Sequence, residues 1–317
     1  MRISTTPVSS IDLGVAEIFA VHRTRLESDR LPWHAKRFSV VTGTHGDELE
    51  GQYICYELIR RIREQPNHLH GTLDVYPAMN PLGIDAMSRG IPNFDLDLNR
   101  LFPGSSNGCM PEYYASQAMA AMLGSDLCVD IHSSNVFVYE TPQIRANELT
   151  VEKLLPHAML ANVDLIWVHG SSTVLEATLA HSLNNAGTPC LVLETGIGMR
   201  LTKRYGDQLV DGLLNIMKSM GMWTGPVGPI RNPQISTDGK VNFINASEPG
   251  IFLPAVEHSS HVSKDEIIGS ILNPRTGEVA EEIVAPCDGL MFTLRAYPVV
   301  YEGSLIARVL DDSKELA

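Results

Sequence analysis

Two hydrophobic rhythms alternate along residues 37–220. Short, nearly solid apolar runs occur at 38–41, 127–131, 165–168 and 189–193. Runs of this length, rich in Val, Ile and Leu, are what strands buried on both faces require. Between them apolar positions recur every three or four residues. Leu49, Tyr53, Ile54, Leu58 and Ile59 fall on roughly one face of a helix predicted over 49–65. The same reading predicts helices over 114–123, 151–161, 174–184 and 201–220, and strands over 37–42, 71–76, 127–131, 165–168 and 189–193. Strands alternating with helices build an α/β fold, a mixed, mostly parallel sheet flanked by helices. Ligands bind such sheets at the carboxyl ends of the strands.

The pattern weakens on either side of these elements. Before residue 37, only 15–21 predicts a strand, at a sheet edge, and 26–36 reads as loop. Residues 80–113 carry several Pro and Gly and hold no period, and a stretch of that length inside a compact domain is usually functional. Gly and Pro crowd together after residue 220 and mark a linker. Short β-type runs broken by turns then continue to about residue 312. The expected organisation is a catalytic domain over residues 1–225 and a smaller, all-β C-terminal domain over 226–317.

Composition narrows the function more than the fold. With 317 residues and 44% apolar content, the chain can bury one large core or two unequal ones. A net charge of −13 argues against nucleic acid and anionic membrane surfaces as partners. No apolar run is long enough to span a bilayer, and residues 1–8 lack the apolar core of a signal peptide. Cys55, Cys109, Cys128, Cys190 and Cys287 follow no C-x-x-C spacing and read as reduced thiols of a cytoplasmic protein. Homo-oligomerisation is left open.

The candidate chemistry lies at the strand exits. The first strand ends in Gly43-Thr44-His45-Gly46-Asp47-Glu48, a glycine-framed turn that can offer an imidazole and a carboxylate to one cation. His132, at the exit of the strand over 127–131, is the expected third ligand, and three protein ligands leave a catalytic zinc one open position. Asp130 points to the same side of that strand and can fix the His132 tautomer. Glu194 follows the strand over 189–193 and is placed to act as general base. Asn99 and Arg100, in the unpatterned stretch, suit a substrate with a free carboxylate. Singly, each of these residues has an ordinary structural reading. The agreement of three strand exits in one sheet is what favours a bound metal, expected as one Zn2+ per chain.

In order along the chain, Gly43-Thr44-His45-Gly46-Asp47-Glu48, Asn80-Pro81-Leu82-Gly83, Asp97-Leu98-Asn99-Arg100-Leu101-Phe102-Pro103-Gly104, Asp130-Ile131-His132 and Leu193-Glu194-Thr195-Gly196 resemble the motifs of the succinylglutamate desuccinylase/aspartoacylase family. That family belongs to the zinc carboxypeptidase clan. The resemblance implies zinc held by His45, Glu48 and His132. It implies Glu194 as base and proton shuttle, and a substrate carboxylate held by Asn99 and Arg100. It also implies Arg89 as the arginine that polarises the scissile carbonyl. The C-terminal runs resemble the half-repeats of biotinyl/lipoyl-type β-sandwiches. Between the halves lies no hairpin lysine, so a wall limiting access is expected rather than a carrier. His258 and His261 read as solvated residues of a polar turn.

The reading is a zinc-dependent hydrolase that cleaves the amide of a small N-acyl amino acid or related carboxylate-bearing amide. A zinc carboxypeptidase acting on short peptides is one alternative. A non-catalytic zinc- or ligand-binding protein is the other.

Overall fold

The computed structural model describes residues 1–15, 17–31, 34–170 and 176–313. The chain opens with β1 (Arg2–Asp12) and β2 (Ile18–Glu27), then runs β3 (Arg37–Thr42), α1 (Glu50–Glu64), β4 (Thr72–Tyr76), α2 (Pro81–Asp85) and α3 (Met110–Met122). There follow β5 (Leu127–Ser133), β6 (Val138–Asn147), α4 (Val151–Ala158), β7 (Leu165–His169), α5 (Leu179–Asn185), β8 (Cys190–Gly196) and α6 (Lys203–Ser219). The C-terminal part is β9 (Gln234–Thr237), β10 (Val241–Asn245), β11 (Gly250–Pro254), β12 (His261–Val262), β13 (Ile267–Asn273), β14 (Glu278–Val284), β15 (Gly289–Arg295), β16 (Val299–Val300) and β17 (Leu305–Asp311).

The heart of the fold is parallel, in the order β4-β3-β5-β8. Side chains alternate across it. Phe38, Val40, Val129, Ile131, Leu191 and Leu193 meet Ile54, Leu58, Leu209 and Leu213 of α1 and α6 on one face. Val41, Cys128 and Cys190 meet Tyr114, Ala118, Leu179 and Leu183 of α3 and α5 on the other. A fully buried Leu in such a layer contributes about 2 kcal/mol by leaving water. The period of two puts Asp130 and His132 on the Cys128 face, and Glu194 on the Cys190 face.

Several elements depart from the sequence reading. Strands β1 and β2 pair as a long antiparallel hairpin in place of one edge strand. The outer strand β1 is almost wholly exposed and mostly polar, so it carries no hydrophobic alternation. The stretch 80–113 is not structureless: it holds α2, a 3-10 turn at Leu98–Arg100 and the first turn of α3. Part of the helix expected over 174–184 lies outside the described residues, and α5 starts at Leu179.

Strand β6, absent from the sequence reading, ties the molecule together. It runs antiparallel to β8 and to β15, and parallel to β7. Strands β15, β17 and β10 thereby extend the sheet that carries the strand exits. A separate antiparallel sheet, β14-β13-β11-β16, packs with β15 and β17 around Phe252, Ile268, Ile271, Met291 and Ile306. No helix among the described residues is long and apolar enough to cross a membrane.

A candidate metal centre and active site

His45 and Glu48 sit on the turn between β3 and α1. Two glycines allow its path. Gly43 has φ +68°, and Gly46 lies so close to the Gly83 backbone that a Cβ would stand 2.0 Å from the Gly83 carbonyl carbon. The backbone N–H of Asn80 donates to the Gly43 carbonyl at 2.7 Å and fastens the turn to the loop ahead of α2. His132 and Asp130 project from β5, and Glu194 is the register neighbour of His132 on β8.

These strand exits bring His45, Glu48 and His132 together, with one ligand atom from each lying within 4.8 Å of the others. All three are buried. Nδ1 of His45 is 2.6 Å from Glu48 Oε1, and Nδ1 of His132 is 2.9 Å from Glu48 Oε2. Each outer nitrogen faces another carboxylate. His45 Nε2 is 2.9 Å from Asp97 Oδ1, and His132 Nε2 is 3.1 Å from Asp130 Oδ2. With its outer N–H turned to a carboxylate, an imidazole presents the Nδ1 lone pair inward.

The charges fit a dication. Burial would raise the Glu48 carboxyl, but His132 and His45 bring it down to about 2. Burial would lower His132, but Asp130 and Glu48 hold it well above its ordinary value. His45 is likewise raised, by Asp97 and Glu48 against its own burial. Three carboxylates thus surround two imidazoles. Both Asp130 oxygens are buried without a hydrogen bond, because the 3.1 Å approach of His132 is poorly directed. Two imidazole nitrogens and a carboxylate, backed by two further carboxylates, are a donor set suited to zinc.

Glu194 shares the cavity that the cluster opens into, a space of about 840 Å³. Burial pushes its carboxyl up to about 7; Arg145 opposes the rise, while Glu140 and Glu48 add to it. A carboxyl with a pKa near neutrality can both take and return a proton. Asn99 is buried, and its Oδ1 accepts from the Leu179 N–H at 2.9 Å. That bond fixes the amide and leaves Nδ2 3.5 Å from His132 Nε2. Arg100 is exposed at the cavity wall and donates to the Asn99 carbonyl at 2.8 Å. Arg89 also lines the cavity, with Nη1 3.0 Å from Glu48 Oε1 and Nη2 3.4 Å from Asp97 Oδ2.

Four residues escaped the sequence reading, Asp97 beside the ligand cluster and three in the cavity wall. Asp97 lay inside a motif already quoted, and its contact with His45 links the loop to the ligand turn. Glu140 and Arg145 come from β6, and Arg308 from β17. Arg145 Nε is 3.8 Å from Glu194 Oε2, and Glu140 binds both arginines. The usable signal was the alternation of Ile144 and Ala146 with Gln143 and Arg145. Pro142 interrupts it, and a proline argues against an interior strand. His258 corrects the expectation of a solvated turn. Its ring stacks on Tyr139 at 4.3 Å, with Nε2 3.2 Å from the Phe292 carbonyl. His261 is exposed, 3.1 Å from Asp312. Cys109 is exposed, while Cys55, Cys128 and Cys190 are buried, and none of the five cysteines forms a disulfide among the described residues.

Comparison with known proteins agrees with this layout. The catalytic-domain model of the succinylglutamate desuccinylase/aspartoacylase family matches residues 34–220. The N-alpha-acetyl-L-2,4-diaminobutyric acid deacetylase of Halomonas elongata is 25% identical over 286 residues, 85% of this chain and 80% of that protein. The ectoine utilization protein EutE (DoeB) of Ruegeria pomeroyi, in a product-bound structure, superposes with a TM-score of 0.79 at 23% identity, covering 97% of this chain and 93% of that one. A metallo-carboxypeptidase of Burkholderia cenocepacia shares the fold more distantly, with a TM-score of 0.53 at 14% identity over 68% of this chain and 63% of its own.

Proposed function

Since the chain belongs to the succinylglutamate desuccinylase/aspartoacylase family, we propose that it hydrolyses the amide bond of a small N-acyl amino acid with one zinc ion held by His45, Glu48 and His132. The observation that carries this reading is the convergence of those three ligands on one cavity with Glu194, a buried carboxyl raised to about 7. The zinc, when bound, supplies Lewis acidity toward a water and the scissile carbonyl.

The chain's own residues do the rest. Asp97 holds the His45 ring by its outer nitrogen and Asp130 lies beside that of His132, so both imidazoles would turn Nδ1 toward a bound metal. Glu194 takes the proton of the attacking water at its carboxylate and delivers it to the leaving nitrogen as the C–N bond breaks. A pKa near the working pH serves both transfers. Arg100 and the Asn99 amide hold the substrate carboxylate, which places the amide between His132 and Glu194. Arg89 polarises the carbonyl oxygen. Arg308 of β17 joins β6 in walling the cavity, and this wall favours short substrates over long peptides.

A screen of N-acyl amino acids with zinc present tests the reading. Turnover is expected to vanish on chelation, to return with zinc, and to be lost in Glu194→Ala. Hydrolysis that survives both chelation and Glu194→Ala would overturn the mechanism. Cleavage of dipeptides with a free C-terminus, without cleavage of N-acetyl amino acids, would favour a carboxypeptidase instead. Zinc bound at one per chain with no hydrolysis of any substrate would favour a binding protein.

A further inference from the structure

The cavity reaches well past the groups assigned to hydrolysis. Gln143 of β6 is the register neighbour of Glu194, and Asn147, four residues further along β6, is that of His169 on β7. At about 3.3 Å per residue these two levels lie about 13 Å apart. Glu194, Asn147 and His169 nevertheless line one space. Between the levels its wall is apolar, with Val192 and Cys190 of β8 and Ala180 of α5. Asn184 of α5 also lines it, but its amide is spent on the backbone. Nδ2 donates to the Ala180 and Cys190 carbonyls, each at 2.9 Å, and Oδ1 accepts from the Cys190 N–H at 3.0 Å. A neutral chain can therefore lie along this wall without stranding a polar group.

At the far level stands an unused acceptor. His169 Nδ1 lies 3.2 Å from Asp238 Oδ1. That carboxylate is itself fixed, since Oδ1 also accepts from Trp167 Nε1 at 2.8 Å and Oδ2 from the Gly170 N–H at 3.3 Å. A carboxylate only accepts, so Nδ1 carries the hydrogen and Nε2 the lone pair. Among the described residues Nε2 has no hydrogen-bond partner. The ring is steadied by Trp167, 4.5 Å away between centroids. Burial, and after it Arg145, hold the imidazole below its ordinary pKa against the pull of Asp238, so it is neutral at pH 7. Arg145 packs on the same indole, with Cζ 4.7 Å from its centroid, and disfavours an ammonium at this level as well. A carboxylate has no hydrogen to offer Nε2.

We propose that His169 is a specificity-determining residue, whose Nε2 accepts a hydrogen bond from a neutral donor, such as a phenol, at the end of a long substrate side chain. The proposal rests on the hydrolase reading for the orientation of the substrate. Asn99 is bonded to the N–H of Leu179, the first residue of α5. An amino acid held by its carboxylate at Asn99 and Arg100 therefore has its Cα at the start of α5, and its side chain can run along Ala180 and Val192. A side chain of serine or aspartate length ends short of His169, and one of tyrosine length reaches it.

Isothermal titration of the zinc-loaded, full-length Glu194→Gln protein measures the contact without turnover. The ligands are N-acetyl-L-tyrosine, N-acetyl-L-phenylalanine and N-acetyl-O-methyl-L-tyrosine, of which only the first has a donor at its tip. It is expected to bind about tenfold more tightly than the other two. Adding His169→Phe keeps a ring against Trp167, removes the acceptor and should bring the ratio near one. Adding His169→Gln instead restores an acceptor oxygen and should recover part of the ratio, which a residue needed only for packing would not do. A ratio near one with His169 in place, or a ratio unchanged in folded His169→Phe, would overturn the proposal. If circular dichroism shows that His169→Phe does not fold, the O-methyl ligand still decides: binding as tight as that of N-acetyl-L-tyrosine overturns the contact. Turnover by the wild type separates this proposal from the reading beneath it. Hydrolysis with kcat/KM about tenfold higher for N-acetyl-L-tyrosine than for N-acetyl-L-phenylalanine supports both. Equal kcat/KM for the two removes the role of His169 and leaves the hydrolase. No hydrolysis of either, with the binding ratio intact, removes the hydrolase reading and leaves the contact standing.

Discussion

Replacing Glu194 by Gln should stabilise the metal-free protein while abolishing hydrolysis, and the stabilisation should depend on pH. Burial moves the carboxyl from its ordinary 4.5 to about 7. Between those values the folded chain holds a proton that the unfolded chain has released. The unfolded state then binds fewer protons, so stability falls as pH rises through this window and levels off above it. At 1.36 kcal/mol per pH unit, the charged form costs about 3 kcal/mol of stability at pH 8 and less than about 1 kcal/mol at pH 5. Glutamine has nearly the same shape and no charge, so it escapes that cost. Urea denaturation of wild type and Glu194→Gln after chelation, at both pH values, measures the difference. The variant should gain about 3 kcal/mol at pH 8 and little at pH 5. Zinc should shrink the gain, because a dication in the cavity favours the carboxylate. Equal stability of the two proteins at pH 8 would show that Glu194 is not a carboxylate charged at a cost, and the case for a base tuned by burial would fail. The gain of stability with loss of activity is the trade expected where a catalytic group is kept in an unfavourable place.

Two further predictions concern the other parts of the site. Asp97→Asn leaves His45 with a weaker partner and should lower zinc affinity about 10- to 100-fold while leaving the stoichiometry at saturation unchanged; competition with a chelator measures it, and unaltered affinity would remove Asp97 from the site. Arg100→Ala should raise KM for free N-acyl amino acids about tenfold or more with a smaller effect on kcat, and should erase the preference for the free acid over its methylamide; a preference that persists in the variant would place the carboxylate elsewhere.

The legible part of the molecule is the part where one hydrophobic rule applies. Strands β3, β5 and β8 are buried on both faces and announce themselves as apolar runs; α1 and α6 show a clear stripe. His45, Glu48, His132 and Glu194 could be found because each stands beside one of these runs, where a polar residue must have a reason. The hairpin β1–β2 was illegible because its outer strand faces solvent and is chosen for hydrogen bonding along the edge rather than for burial. Asp97 was visible as a residue but not as a contact, since its distance from His45 is set by how the loop over 80–113 folds back. That path depends on Asn80, whose side chain bonds the Gly83 N–H at 2.9 Å and the Gly90 carbonyl at 3.0 Å.

Strand β6 was hidden for a reason that bears on function. An interior strand is recognised by apolar alternation, and this one breaks the rule at the positions that face the cavity. Glu140 and Arg145 occupy places there that burial alone would give to Val or Leu, and Pro142 interrupts the rest. Burying such a charge requires partners. Glu140 finds them on two separate elements, Arg145 on its own strand and Arg308 on β17. The cost of the buried carboxylate is offset only when β17 is docked, so the wall of the cavity and the seating of the C-terminal strands are one set of interactions. A strand designed only for stability would have been easy to read; β6 is hard to read because its cavity-facing side is polar, and that polar side joins the proposed base to the C-terminal strands.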